Sequence, residues 1–398
     1  MTASDSQAPS DRRKRAIRFI VCLGIVSMFA DITYEGARSV IGPFLHDLGA
    51  SAAEVGIVAG IGEMLAASLR FFSGRFADRT RSYWTITIIG YGVNLVAVPA
   101  LAFAGHWWVA ALLVALERTG KSIRGPARDV LLSEATSVVG HGWGFGLHAA
   151  LDQTGAVIGP LLVAFTVARS HAFGPAFLGL ILPAGAAVAA LLVARAWFPA
   201  QGTAAPQQIE QNAFPRVFWI YVAASGLLAC GFADFALLSF HFQNTGVVSP
   251  ATIPLLYSGA MAVNAITAPL FGRLFDRFGI SMLSAGTLIS MLSLPLGFFG
   301  GPAAAMAGVA CWATGIGAQD AILRSGIAQV VSMNKRGSAF GAFNGVYGVM
   351  WFVGSTVMGV LYDHSITALV SFGLVLQLGA AVAFLWLSGR LRATPERH

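Results

Sequence analysis

The sequence predicts an all-α membrane protein, with twelve transmembrane helices in two pseudo-symmetric six-helix bundles. Three observations carry this expectation. Only 11% of residues are charged and 56% are hydrophobic, with a mean hydropathy of +0.71, where an ordinary soluble domain has about 25% charged residues. Apolar runs longer than about 18 residues recur along the whole chain. Short patterns of the first half return in the second, in the same order and at the same place within the half.

Twelve apolar runs follow one another at 17–45, 52–72, 83–104, 107–127, 143–168, 172–197, 215–243, 249–271, 280–300, 303–325, 338–361 and 366–387. The division is a tail (1–16), a first bundle (17–198), a linker (199–214), a second bundle (215–388) and a tail (389–398). The first run is full-length and has no small-residue cleavage site before it, so it reads as a retained span rather than a signal peptide. The Gln, Ala, Pro and Thr of the linker suit a connection outside the membrane. The net charge of +7 sits in short connections and tails, at Arg12–Arg18, Arg75–Arg81, Lys121–Arg128, Arg195 and Arg216, Arg273 and Arg277, Lys335 and Arg336, and Arg390–Arg397. Topology explains that pattern better than nucleic-acid binding. The positive-inside rule places both termini and the linker in the cytoplasm of a protein integral to the cell membrane, a bacterial inner membrane. Cys22, Cys230 and Cys311 lie far apart in apolar runs and form neither a metal spacing nor a disulfide framework.

The repeat is specific. Gly74-Arg75-Phe76-Ala77-Asp78-Arg79 returns as Gly272-Arg273-Leu274-Phe275-Asp276-Arg277. Phe29-Ala30-Asp31 returns as Phe232-Ala233-Asp234, and Phe145-Gly146 with Gly159 returns as Phe340-Gly341 with Gly354. Six helices repeated in parallel are a transporter architecture. With Gly74, Asp78 and Arg79 between runs two and three, the chain resembles the major facilitator superfamily, although Arg81 stands where the signature has a second Gly. The second copy keeps that Gly as Gly279 and lacks the trailing bases. The resemblance implies a gating role for Gly74, Asp78, Arg79, Gly272, Asp276 and Arg277. Gly74 suits a tight turn or close helix contact, and Asp78 suits a base of run four or a helix N-terminus.

In run five Gly146, Gly155, Gly159 and Pro160 resemble the antiporter signature, with Val163-Ala164 replacing its final Gly-Gly. Gly155 and Gly159 form a close-packing GxxxG face and Pro160 weakens the helix beside it, so this helix is expected to pack tightly and bend. The stretch Gly120–Asp129 is expected to end or kink run four at the cytoplasmic face. There Arg128, the counterpart of Arg324, belongs to an interfacial basic cluster meeting headgroups and Asp78. It has neither the strand nor the spacing of a phosphate-binding loop.

Charges at membrane depth supply the site candidates, since each costs about 2.5–3.5 kcal/mol to bury in lipid. Asp31, Glu35 and Arg38 share one face of the first helix, within a sector of roughly 60°. Glu63, Glu117, Arg118 and Asp152 are deep in runs two, four and five, and Asp234 matches Asp31 by the repeat. Glu117 and Arg118 point about 100° apart and are not expected to pair. Six acids face only Arg38 and Arg118 in this tally, so some are expected to be protonated for part of a transport cycle. Asp31, Glu63, Glu117, Arg118, Asp152 and Asp234 are therefore the proton-coupling candidates, and Arg118 also resembles an antiporter run-four Arg. Coupling is concentrated in the first half. Substrate candidates are Glu35, Arg38 and His148, with Phe235, Asn264, Asn344, Tyr347 and Trp351 from a second half that offers mainly apolar, aromatic and amide contacts.

The function expected is secondary active transport by alternating access: proton-coupled, multidrug-like export of a small amphipathic or cationic compound by a functional monomer. No metal, cofactor or nucleotide-binding module is expected. A transporter of a natural metabolite such as an amino acid or siderophore is the alternative, with Glu35 and Arg38 gripping a zwitterion. An intramembrane enzyme built on His148 and Asp152 is remote, because no HExxH or Gly-x-Ser-x-Gly accompanies them.

Overall fold

The computed structural model describes residues 4–198, 214–331 and 336–393. Among these residues the chain forms α-helices, one short 3-10 turn and no strand. In order the helices are α1 (Ser4–Arg38), α2 (Ile41–Asp47), α3 (Ala52–Thr80), α4 (Tyr83–Ala100), α5 (Trp107–Val139), α6 (His141–Ser170), α7 (Phe173–Gly179), α8 (Ile181–Trp197), α9 (Arg216–Gly231), α10 (Phe235–Thr245), α11 (Thr252–Phe278), α12 (Ser281–Met291), α13 (Ser293–Phe299), α14 (Pro302–Val330), α15 (Arg336–His364) and α16 (Ile366–Ala393).

Among the described residues ten helical stretches are long and apolar enough to cross a membrane. Helices α5 and α14 match them in length, at 33 and 29 residues, but are more polar. Glu117, Arg118, Lys121 and Arg124 lie in the one, and Gln319, Asp320 and Arg324 in the other.

The chain divides into two compact units, Met1–Arg38 with Leu69–Pro206, and Ser39–Ser68 with Gln207–His398. The sequence division instead keeps 39–68 in the first bundle. Small residues explain the grouping. A Cβ on Gly60 would lie 2.9 Å from Phe352 Cα, and one on Gly359 would lie 2.9 Å from Ala53 Cα. Helix α3 therefore meets α15 backbone to backbone. Asp363 accepts from the amides of Ala52 at 3.2 Å and Ala53 at 3.0 Å, and so satisfies the start of α3. Ser51 and Glu54 add a reciprocal cap, with Ser51 N donating to Glu54 Oε2 at 2.7 Å and Glu54 N to Ser51 Oγ at 3.2 Å.

In the first unit α1 packs on α6, α8 and α5, and α4 on α5. Its core is built on Phe19, Ile20, Leu23, Tyr91, Leu95 and Leu131. Two expectations are corrected here. Helix α5 does not end at Gly125-Pro126; it continues to Val139. Pro126 has no amide to bond the Ser122 carbonyl, and Ser73 Oγ donates to that oxygen at 2.9 Å instead. Likewise α3 stays helical past Gly74 to Thr80. The chain turns at Arg81, whose φ is 52°.

In the second unit run seven is broken. Helix α9 ends at Gly231, Phe232–Asp234 are non-helical, and α10 begins at Phe235. The exposed backbone acceptors are met by side chains: Gln377 Nε2 donates to Gly231 O at 2.8 Å and Trp312 Nε1 to Ala233 O at 2.9 Å. A non-helical stretch at membrane depth is tolerated only where its polar groups are satisfied in this way.

Candidate functional site

The first unit holds a chain of charged and polar side chains between α1, α4, α5 and α6. Asp31, Tyr34 and Glu35 are buried on α1. Lys121 of α5 lies with Nζ 3.7 Å from Glu35 Oε1 and 3.7 Å from the centre of the Tyr34 ring. One turn on, Arg124 is only 2% exposed and sits 4.2 Å over the Tyr91 ring. A further turn on, Arg128 donates to Ser27 Oγ at 3.1 Å and to Asp129 at 2.9 Å, with Nη1 4.0 Å from Asp152 Oδ2. His148 lies 3.4 Å from Asp152 through Nδ1 and 3.2 Å from Ser27 Oγ through Nε2. Ser27 also meets the Tyr91 hydroxyl at 3.2 Å. Asp31 lies within the electrostatic reach of Asp152, Lys121, Arg124 and Glu35. The result is an alternation of acid, base and aromatic from Glu35 to Asp152, each charge held by an opposite charge, a ring or a hydroxyl.

This corrects three expectations. Lys121, Arg124 and Arg128 are not an interfacial cluster; their regular spacing on the extended α5 turns them into the unit, so the acids have more bases than Arg38 and Arg118. Asp78 is exposed and takes the hydroxyl of Tyr83, the first residue of α4, at 3.4 Å, so of its two expected places it has the helix start and not a base of run four. Glu117 and Arg118 do pair, with Nε 3.2 Å from Oε2. Asn94 Nδ2 also donates to Glu117 Oε1 at 2.8 Å.

Gly155 and Gly159 sit against α1. A Cβ on Gly155 would strike the Met28 carbonyl and lie 2.9 Å from Asp31 Cβ; one on Gly159 would strike the Ile32 carbonyl and lie 2.9 Å from Gly36 N. The close-packing face thus holds the helix that carries Asp31. Pro160 lies inside α6, and Gly146 faces open space. A Cβ on Gly74 would lie 3.5 Å from Pro126, a close helix contact. Arg79, Asp276 and Arg277 are exposed, Gly272 has nothing near it, and Arg38 is half-buried at the end of α1.

In the second unit the candidates separate. Phe235 is fully buried between Tyr257 and Trp312, with ring centres at 4.6 and 5.5 Å, and is a packing residue of the helix break. Asp234 caps α10 by accepting from Ala236 N at 2.9 Å, so its resemblance to Asp31 in sequence is not a likeness in structure. Asn264, Tyr347 and Trp351 come together with a residue that the sequence tally missed, Asp320 of α14. Asn264 Nδ2 donates to Asp320 Oδ2 at 3.2 Å, and Tyr347 OH to Gln319 Oε1 at 2.7 Å. The Trp351 and Tyr347 rings are 5.7 Å apart. Glu63 is half-buried, and its charge and that of Asp320 both reach Tyr347. Asn344 is half-buried on α15. The register that pairs Arg128 with Arg324 pairs Arg124 with Asp320, and this would have exposed the acid in the sequence. Asp320 thus adds a carboxylate to a second half expected to offer mainly apolar, aromatic and amide contacts.

Known proteins agree with this architecture. The sequence pattern of the Major Facilitator Superfamily matches residues 23–355. An uncharacterised protein of Mycobacterium tuberculosis (strain ATCC 25618 / H37Rv) is 42% identical over 376 residues, covering 92% of each chain. An uncharacterised MFS-type transporter of Methanocaldococcus jannaschii is 22% identical over 402 residues, 96% of this chain and 98% of its own. Among solved structures, a POT family transporter in complex with 5-aminolevulinic acid matches at TM-score 0.72 and 12% identity, over 94% of this chain and 96% of that one. The nucleoside transporter NupG matches at TM-score 0.67 and 14% identity, over 94% and 98%. A chain of membrane-crossing helices, a repeated Gly-x-x-x-Asp-Arg sequence and a charged interior is thereby placed: it belongs to the Major Facilitator Superfamily, as an integral membrane transporter of a small-molecule substrate.

Proposed function

We propose that the protein is a proton-coupled secondary transporter that exports a small amphipathic or cationic compound by alternating access. Twelve spans are proposed, counting α5 and α14, with both termini and the linker cytoplasmic in a bacterial inner membrane and a monomer as the functional unit. The observation that carries the coupling is the alternation, buried at Glu35 and Arg124 and half-buried at Lys121, Arg128 and Asp152, that runs from Glu35 to Asp152. A carboxylate so placed holds its base while ionised and releases it when protonated, and that exchange links proton uptake to movement of the helices bearing the two groups. Asp31 is the preferred coupling acid, with Asp152 beside it, and Glu35 and Arg38 are the preferred substrate-side residues. Export is favoured by the antiporter-like pattern of Gly146, Gly155, Gly159 and Pro160.

The test is proton flux in proteoliposomes with a panel of cationic drugs, amino acids and other metabolites. Substrate-dependent proton movement is expected from the wild type and its loss from Asp31→Asn and Asp152→Asn; unchanged coupled flux in both variants would refute the assignment. A zwitterionic metabolite is a second reading, favoured by the nearness of Glu35 to Lys121. Thermal stabilisation by amino acids but not by drugs selects it.

A further inference from the structure

The second unit contains two buried polar atoms whose bonding is incomplete, Asn264 Oδ1 on α11 and Trp351 Nε1 on α15. Asn264 is 4% exposed and its Oδ1 has no hydrogen-bond partner. Its Nδ2 is committed to Asp320, so the orphaned oxygen is held beside the carboxylate. The hydrogen bond sets two acceptors, Asn264 Oδ1 and the Asp320 carboxylate, side by side. On α15, Trp351 is 6% exposed and its Nε1 also has no partner. Its ring leans on Tyr347, whose hydroxyl is fixed by Gln319. Asp320 itself is exposed, although it lies about 27 Å along α14 at 1.5 Å per residue. An ionisable side chain at such depth faces water within the protein rather than lipid. Native structures rarely leave buried amide atoms unbonded, and a bound group supplies the missing partner.

We infer that Asp320 and Asn264, walled by Tyr347 and Trp351, form a binding site for an organic cation that carries N–H donors, a protonated amine with an apolar or aromatic body. The chemistry is selective. Asp320 and Asn264 Oδ1 both accept, so they need donors, which an ammonium has and a quaternary nitrogen lacks. The neighbouring rings suit a cationic head and an apolar body alike. Trp351 Nε1 can donate to an oxygen on that body. Glu63 adds negative potential at Tyr347, while Arg324, one turn beyond Asp320 on α14, disfavours a second positive charge on that side. The inference rests on the transporter reading above and goes beyond it by adding a site for the cationic head in the second unit to the substrate-side residues Glu35 and Arg38.

Equilibrium binding to the full chain in detergent, without a proton gradient, tests it. The probes are 4-phenylbutylammonium and its N,N,N-trimethyl analogue, read by tryptophan fluorescence and thermal stabilisation. The wild type is expected to bind the primary ammonium at least tenfold more tightly. Asp320→Asn and Asn264→Leu are expected to lose that tenfold, and Asp320→Glu to keep affinity within threefold, which controls for folding. Equal affinity for the two probes, no binding of either, or unchanged discrimination in Asp320→Asn overturns the inference. Its fate is separate from that of the coupling proposal: no substrate-dependent proton flux in the wild type, with discrimination intact, defeats only the coupling, and wild-type flux without discrimination defeats only this site.

Discussion

Arg81 is a long β-substituted residue in a backbone region that favours glycine, with φ at 52°, while its counterpart Gly279 takes the same side of the map at 69°. The left-handed region costs a residue with a Cβ about 1–2 kcal/mol. Arg81→Gly is therefore expected to raise stability by about 1 kcal/mol, and Gly279→Ala, at φ 69° and ψ −154° in a region that essentially only glycine occupies, to lower it by about 1–3 kcal/mol, both read from unfolding in detergent. The sequence displays the exchange at position 81, but only the backbone shows that φ stays positive there without the glycine. The pairing of Glu117 with Arg118 was hidden for a related reason. The helical wheel fixes where a side chain leaves the backbone, not where a long one ends, and the Arg118 Nε returns to 3.2 Å from the carboxylate. Trp312 had no signal, since Gly231 marks the break at Phe232–Asp234 but says nothing of the side chain that satisfies it. Trp312→Phe keeps the ring and leaves the Ala233 carbonyl without its donor. An expected loss of about 1–3 kcal/mol in unfolding free energy checks that role.

Among the elements, α6 and α5 separate what pattern reveals from what it conceals. Glycine spacing in α6 announces a close helix contact, and the contact falls where the spacing puts it, at Gly155 and Gly159 against Met28–Gly36 of α1. Gly155→Ala must displace backbone at the Met28 carbonyl and is expected to cost about 1–3 kcal/mol. Gly146→Ala meets nothing and is expected to leave stability unchanged or slightly higher, because alanine is the better helix former by about 1 kcal/mol. Equal melting temperatures for these two variants would remove the contact from the account. In α5 the pattern misleads, because Gly125-Pro126 carries a stop signal that tertiary structure overrides. Ser73 supplies the bond that Pro126 forfeits, and the helix then carries Lys121, Arg124 and Arg128 on into the unit. A partner on another helix is invisible to local reading, so the depth of those bases, and with it the charge balance of the site, was out of reach.

At the scale of the whole molecule, the repeat announces two halves, yet the segment 39–68 packs with 207–398. Symmetry in sequence describes how the chain was built; contact depends on which surfaces are small enough to meet. Here Gly60 and Gly359 let α3 and α15 touch backbones, and Asp363 ties the amides of Ala52 and Ala53 to the end of α15. A transporter that alternates between states must weigh such contacts against those of its other state, and a ligand or substitution acts through the difference. Gly359→Ala sets a methyl against the Ala52 carbonyl and Asp363→Asn removes the charge from the cap. If each costs this arrangement about 1–3 kcal/mol, the balance between states moves by about 5- to 150-fold. Hydrogen exchange at the amides of 52–60 is expected to rise strongly in both variants, while exchange in the α1–α6 contact stays as in the wild type. A rise spread evenly over both units would mean general unfolding instead, and no change at 52–60 would mean that the α3–α15 contact does not hold the segment.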